Sequence, residues 1–159
     1  MRALSLAAAL ALSGLLASAI GVKAAGNLAG QNPIEVVVEL GKPGQHVFVP
    51  DKLRFETGKL YKLVLRNPSR DPHYFTSHGF TQLIYTRKVQ VTQEREGKST
   101  TLAEFKGAIR EIEVYPGQSA EWWFVPVATG RVTDLRCGIV AQDGKTHADH
   151  GMIGEIVVE

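Results

Sequence analysis

The sequence contains very little sulfur: one cysteine, Cys137, and two methionines, of which one is the initiator. With a single cysteine, no internal disulfide framework is possible. The chain also lacks a large net charge, since 18 Lys and Arg stand against 16 Asp and Glu and give a formal charge of +2. Nucleic-acid binding requires clustered positive charge, so this near-neutral chain predicts no nucleic-acid partner.

Sequence motifs of the common enzyme classes are absent as well. The chain has no Gly-x-Ser-x-Gly, no Walker or dinucleotide-binding glycine loop and no His-Glu-x-x-His. Cys137 and His147 are the residue types of a cysteine hydrolase, but Met152 beside them serves no hydrolytic purpose. A strand-rich context also offers no helix N-terminus to lower the thiol pKa. We therefore predict a protein that is not an enzyme, with redox activity the one catalytic alternative left open.

Residues 1–25 have the order of a secretory signal peptide. Arg2 supplies a positive start, residues 3–16 are an apolar stretch of mostly Leu and Ala, and residues 17–19 (Ala-Ser-Ala) form a cleavage site. The alternative is an uncleaved membrane anchor, because residues 3–22 carry no charge. We expect cleavage, no stable membrane insertion afterwards, and a mature protein that is periplasmic or otherwise exported.

The rest of the chain has the composition of one globular domain, with 44% apolar and 21% charged residues in a total of 159. Residues 26–33 are rich in Gly and Ala and are expected to be a flexible leader, and residues 34–159 form the domain. Short extended segments separated by Gly and Pro turns predict an all-β sandwich of seven to eight strands. The predicted strands are 34–40, 46–50, 53–56, 60–67, 109–115, 121–127, 130–137 and 154–159.

One segment, 80–107, does not follow this pattern and is predicted to be an irregular insertion. Within it, residues 81–91 fit a short helix or a strand equally well. Residues 93–100 carry charges of both signs and are most simply a solvated loop. In the neighbouring strand, Trp122 and Trp123 are expected on opposite faces, one in the core and one at the surface.

The side chains that suit metal chemistry are concentrated near the C-terminus. Cys137, His147, His150 and Met152 lie in one loop between the last two strands, and His73 follows an earlier strand end. A thiolate, two imidazoles and a distant thioether form the ligand set of a mononuclear blue-copper centre. The soft sulfur donors favour Cu(I) and imidazole serves both oxidation states. A structural alternative exists for Cys137, because free cysteine often packs as a small buried hydrophobe.

On these residues the chain resembles the cupredoxins, a family of small copper proteins. The strongest part is the His-x3-Gly-Met-x-Gly motif from His147 to Gly154, followed by a short apolar last strand. The segment 63–75, with Asn67 ahead of Pro72 and His73, resembles the part of the family that supplies the first histidine ligand. The resemblance implies a Greek-key sandwich of cupredoxin type.

The resemblance also implies a site and a function. The ligands would be His73, Cys137 and His147, with Met152 as a weak axial donor, around one copper ion that cycles between Cu(I) and Cu(II). The protein would be an exported one-electron carrier, and its partners would be redox proteins or copper-handling proteins. We also expect the protein to be a monomer. His147, on the loop nearest the surface, would be the point where the electron leaves.

One departure from the family keeps alternatives open. Nine residues separate Cys137 from His147, more than cupredoxins usually have there. Residues 140–146 form an apparent insertion with a turn at Asp143-Gly144. The loop either bulges outward and returns His147 to the metal, or opens the site to water as in a red-copper centre, or leaves the site empty. His150 is the rival of His147, whereas His46 and His78 are expected to be ordinary residues.

These alternatives correspond to different functions. An open site that exchanges metal would suit a periplasmic copper carrier or chaperone. A red-copper site with a free coordination position would suit redox chemistry on a small molecule, and an empty site would leave an interaction module.

Overall fold

The computed structural model describes residues 30–159. The predicted signal peptide, residues 1–25, and residues 26–29 of the predicted leader lie outside the described residues. Among residues 30–159, no helix is long and apolar enough to cross a membrane. The helix in this part of the chain has six residues.

The described chain consists of strands with one short helix. In order, the elements are β1 (Ile34–Lys42), β2 (Gln45–Val49), β3 (Lys52–Phe55), β4 (Tyr61–Arg66), β5 (His73–Thr76), α1 (His78–Leu83), β6 (Ile84–Arg95), β7 (Lys98–Phe105), β8 (Glu111–Val114), β9 (Ser119–Pro126), β10 (Gly130–Arg136) and β11 (Ile153–Val158).

The strands form two sheets, with the orders β2-β1-β4-β9-β6-β7 and β3-β11-β10-β5-β8. Pairing is antiparallel except for β1 with β4 and β3 with β11, which are parallel. Buried side chains from both sheets, among them Phe55, Phe75, Trp122 and Phe124, pack into one core. The predicted all-β sandwich is therefore confirmed.

Strand β9 shows how the sequence pattern produces this core. Ala120, Trp122 and Phe124 alternate along the strand and are all buried, as the period of two in a strand requires. Trp123 points to the other face, where the Nζ atom of Lys88 lies 4.8 Å from its ring centroid. The expectation that the two tryptophans face opposite sides is confirmed.

The segment 80–107 is more regular than predicted, and the described chain has eleven strands instead of seven or eight. After the short helix α1, strands β6 and β7 form a hairpin, and β6 also pairs with β9. Glu96 and Gly97 at its tip have φ of 51° and 73°, as in a two-residue hairpin turn. The charged residues 93–100, interpreted as a solvated loop, belong instead to this hairpin at the edge of the sheet. Backbone pairing at an edge does not require apolar side chains.

Three chain connections meet at one end of the sandwich. They are the β1–β2 hairpin, the β4–β5 connection (67–72) and the long β10–β11 connection (137–152). His46 lies in the hairpin, His73 directly follows the second connection, and Cys137 and His147 lie in the third.

Candidate metal centre

His73 is the first residue of β5, and the connection before it is held by the side chain of Asn67. This buried amide donates to the carbonyl oxygens of Asp71 (2.8 Å) and Val114 (2.7 Å). Its oxygen accepts from the backbone N–H (3.0 Å) and the hydroxyl (2.7 Å) of Ser69. Four hydrogen bonds of Asn67 therefore fix the connection that positions His73 at the end of the sandwich.

Ser69 also determines which nitrogen of His73 is free. The Ser69 hydroxyl lies 2.9 Å from His73 Nε2 and has a single proton to donate. Two of its other neighbours, Asn67 Oδ1 at 2.7 Å and Asp71 O at 3.0 Å, can only accept, whereas Asp71 N–H donates to it at 3.3 Å. The Ser69 oxygen therefore accepts from Nε2–H, and the lone pair of a neutral His73 is on Nδ1, facing Cys137.

Gly41 lies close behind the His73 ring. A Cβ atom at this position would lie 2.5 Å from His73 Nε2 and 2.9 Å from Ser69 Cβ. The glycine also has φ of +79°, in the left-handed region. The back of the ring is thus enclosed by Ser69 and by the backbone of β1.

Cys137 follows β10 and is fully buried. Its backbone N–H donates to Met152 O (3.1 Å) and its carbonyl accepts from Ala148 N–H (2.9 Å), which ties both ends of the long connection together. Its Sγ atom accepts from Tyr74 N–H at 3.2 Å. Burial raises the pKa of the thiol, while hydrogen bonds from the backbone of Ile139 and Tyr74 oppose this by favouring the thiolate.

The apparent insertion between Cys137 and His147, residues 140–146, forms a small arm whose two ends pair with each other. Val140 and Thr146 make an antiparallel bridge, and His147 N–H donates to Ile139 O at 2.8 Å. Gly144, with φ of +82°, turns the chain at the tip. The arm therefore leaves His147 beside Cys137, with His147 Nδ1 3.4 Å from Cys137 Sγ. Whether the site is closed, open to water or empty stays a prediction.

Three donor atoms consequently meet in a compact triangle. The Nδ1 atoms of His73 and His147 are 3.1 Å apart, and Cys137 Sγ lies 3.8 Å from the first and 3.4 Å from the second. Around an ion with bonds of about 2.0 Å to nitrogen and about 2.3 Å to sulfur, trigonal ligands would be separated by roughly 3.5 to 3.7 Å. The donor set and its spacing therefore fit a single transition-metal ion.

Both imidazoles are kept neutral by their surroundings. Burial, followed by the charges of His147 and His46, lowers the pKa of His73 from 6.5 to about 4. Burial also lowers the pKa of His147. Because metals bind the unprotonated ring, the nitrogen lone pairs are available at neutral pH.

The two remaining predicted candidates take different places. Met152 is fully buried, and its backbone bonds to both Cys137 and His147, so it lies at the same end of the sandwich. His150 is exposed instead, and its Nε2 lies 3.1 Å from Asp143 Oδ1 across the arm. Between the two rival histidines, His147 is therefore the one that faces Cys137. The role of His73, Cys137, His147 and Met152 as metal ligands stays a prediction.

His46, expected to be an ordinary residue, lies at this cluster. Its ring stacks on that of His147 with centroids 3.7 Å apart and planes inclined by 16°. The three histidines His46, His73 and His147 place ligand nitrogens within 4.8 Å of one another. No motif surrounds His46, so the sequence carries no local signal for this position. His147 is expected from the resemblance to be the point of electron exit on the loop nearest the surface, but its side chain is only 2% exposed and is covered by the ring of His46.

Comparison with known proteins finds likeness at the level of structure. No protein-family model matches the sequence, and no curated protein matches it. A multicopper oxidase from Campylobacter jejuni, a metallo-oxidase, aligns with 80% of this chain at 18% identity and a TM-score of 0.54. A laccase from Pediococcus acidilactici aligns with 81% at 14% identity and a TM-score of 0.52. The blue copper protein auracyanin A from Chloroflexus aurantiacus aligns with 80% of this chain and 100% of its own at 15% identity, with a TM-score of 0.47.

These similarities concern the fold. The chain spans only 30% of the Campylobacter oxidase and 27% of the laccase. The chain has a cupredoxin-like fold, as the resemblance of its motifs predicts. At one end this sandwich carries a buried cluster of two histidines and a cysteine, with a third histidine stacked upon it.

Proposed function

We propose that this protein binds one copper ion through His73, Cys137 and His147, with Met152 as a weak axial donor, and carries single electrons. The observation that supports this most is the triangle of two Nδ1 atoms and one Sγ atom with sides of 3.1, 3.4 and 3.8 Å. A mixed set of thiolate and imidazole donors stabilises both oxidation states of copper.

The surroundings of the donors suit rapid electron transfer. Asn67 and Ser69 hold His73. Backbone hydrogen bonds from His147 N–H to Ile139 O and from Ala148 N–H to Cys137 O close the connection that carries Cys137 and His147. Ligands held in this way move little when the charge on the ion changes, so the cost of reorganisation is small. A bound copper ion would supply the redox chemistry, and the protein would supply the fixed donors and exclude water.

The proposal includes a location and a class of partner. Residues 1–25 have the pattern of a signal peptide, which supports export to the periplasm or beyond. An exported carrier of single electrons would act between other proteins, so we expect redox or copper-handling proteins as its partners and a monomeric state between encounters.

A visible absorption and electron paramagnetic resonance spectrum of the mature protein with Cu(II) tests the proposal. We expect an intense thiolate-to-copper band that is lost in Cys137→Ser and retained in His78→Gln, a substitution at an exposed histidine of α1. Equal, weak spectra of the wild type and Cys137→Ser would refute copper ligation by the cysteine.

The same sample separates the other functions. A spectrum that changes when azide is added would indicate an open coordination position and small-molecule redox chemistry. Ready loss of copper to a chelator, with preference for Cu(I), would indicate a copper carrier or chaperone. A reversible single potential without either effect is the result expected for an electron carrier.

A further inference from the structure

The environment of His46 is unusual for a residue outside a binding site. It lies in β2, directly after the β1–β2 turn, and its ring covers that of His147. Its Nδ1 atom is buried and has no hydrogen-bond partner among the described residues. Burying an imidazole nitrogen without a partner costs free energy, so such an atom suggests a group that is bound there.

The position of His46 relative to His73 is that of a second ligand of one ion. Two imidazoles bound to one ion at a tetrahedral angle have ring centroids about 5 Å apart, given metal–nitrogen distances of about 2.0 Å. The centroid of His73 lies 4.9 Å from that of His147 and 5.7 Å from that of His46. Both separations agree with ligation of a shared ion.

From these observations we infer that His46 is a third imidazole ligand of the copper ion, an inference that rests on the function proposed above. His46 and His147 are closer than two ligands require, at 3.7 Å, so binding has to open their stack. Because His46 is only half-buried and adjoins a turn, we expect its side chain to rotate when the ion binds. A further nitrogen donor favours Cu(II) over Cu(I), because Cu(II) prefers imidazole in a tetragonal arrangement.

Two substitutions of His46 distinguish ligation of copper by its nitrogen from simple packing of its ring against His147. His46→Phe keeps an aromatic ring on His147 but has no nitrogen, and His46→Ala removes both the ring and the nitrogens. Loss of even an orienting group at a metal site typically weakens binding about 10- to 100-fold. We therefore expect both variants to bind Cu(II) at least about tenfold more weakly than the wild type, with a smaller change for Cu(I).

The measurement is competition with a chelator for each oxidation state, with the nitrogen splitting in the electron paramagnetic resonance spectrum as a second readout. Reduced Cu(II) affinity and altered nitrogen splitting in His46→Phe would support ligation. Wild-type values in His46→Phe would overturn it, and a change confined to His46→Ala would identify the ring as a cover only. If His46→Phe does not fold, unchanged nitrogen splitting in His46→Ala overturns the inference.

The outcome for His46 is distinguishable from that for the function as a whole. A wild type that binds copper with a thiolate band, alongside an indistinguishable His46→Phe, refutes only the role of His46. A wild type that binds no copper refutes the proposed function and this inference together.

Discussion

The β1–β2 hairpin contains two glycines whose substitution shows how much the close packing behind His73 contributes to stability and to copper binding. Gly41 and Gly44 have nearly the same backbone conformation, with φ of +79° and +74°. A Cβ atom at Gly41 would lie 2.5 Å from His73 Nε2, whereas one at Gly44 would meet nothing within 4 Å. Alanine at either position has the same backbone strain, but only at Gly41 does it displace the candidate ligand.

The expected effects follow from these contacts. Alanine in the left-handed region costs about 1–2 kcal/mol at each position. At Gly41, overpacking adds about 1–3 kcal/mol. The displaced ring also loses its hydrogen bond to Ser69, a further loss of about 1 kcal/mol. We therefore expect Gly41→Ala to be less stable than Gly44→Ala by roughly 2–4 kcal/mol.

Urea unfolding of the metal-free proteins provides the stability difference, and the Cu(II) spectrum provides the effect on the site. Gly44→Ala should retain the thiolate-to-copper band of the wild type, and Gly41→Ala should bind Cu(II) more weakly because His73 Nδ1 is moved from the donor triangle. Equal unfolding free energies for the two variants would refute the argument that Gly41 is required for the position of His73.

Three further predictions concern the framework around the site. Asn67→Ala removes four hydrogen bonds, three of them buried and one partly buried, and should lower the unfolding free energy by about 2–6 kcal/mol, measured in urea. A loss below about 1 kcal/mol would contradict this. Deleting residues 141–145 should retain the thiolate band, because the bond from His147 N–H to Ile139 O then closes a four-residue turn; loss of the band in a folded protein would refute it. Burial raises the pKa of Asp134, but hydrogen bonds from Ser77 and Gly79 outweigh this and hold it below 3.8. The ionised Asp134 carboxylate therefore stabilises the fold above about pH 4, and this stabilisation is lost as the pH falls through the lowered pKa. The loss of unfolding free energy caused by Asp134→Asn should consequently be smaller at pH 3 than at pH 7 in urea titrations.

The sequence predicted the parts of the molecule where local pattern and spacing carry the information. The alternation around Trp122 indicated a strand with one buried face, and Asp143-Gly144 indicated the turn of the arm. The spacing from His147 to Met152 indicated the candidate site through the resemblance to cupredoxins. In each case the residues that specify the feature lie within a few positions of one another.

What the sequence did not predict depends on contacts between distant segments. Strand β6 is stabilised by pairing with β9, about 30 residues later in the chain, and its own charges gave no sign of this. His46 is 27 residues before His73 and 101 before His147. Only the meeting of the β1–β2 hairpin with the β10–β11 connection brings these rings together, and no pattern within either segment encodes it.

Under the proposed function, the position of His46 changes the expected route of electrons whether or not it binds copper. In a site whose second histidine is exposed, a partner would contact that ring directly. Here His147 is 2% exposed, and the ring of His46 lies against it at 3.7 Å. His150 follows, with its centroid 5.7 Å from that of His46. We therefore expect the electron to leave through the His46 ring, so that His46→Ala should alter the rate of electron exchange with a partner more than His46→Phe does.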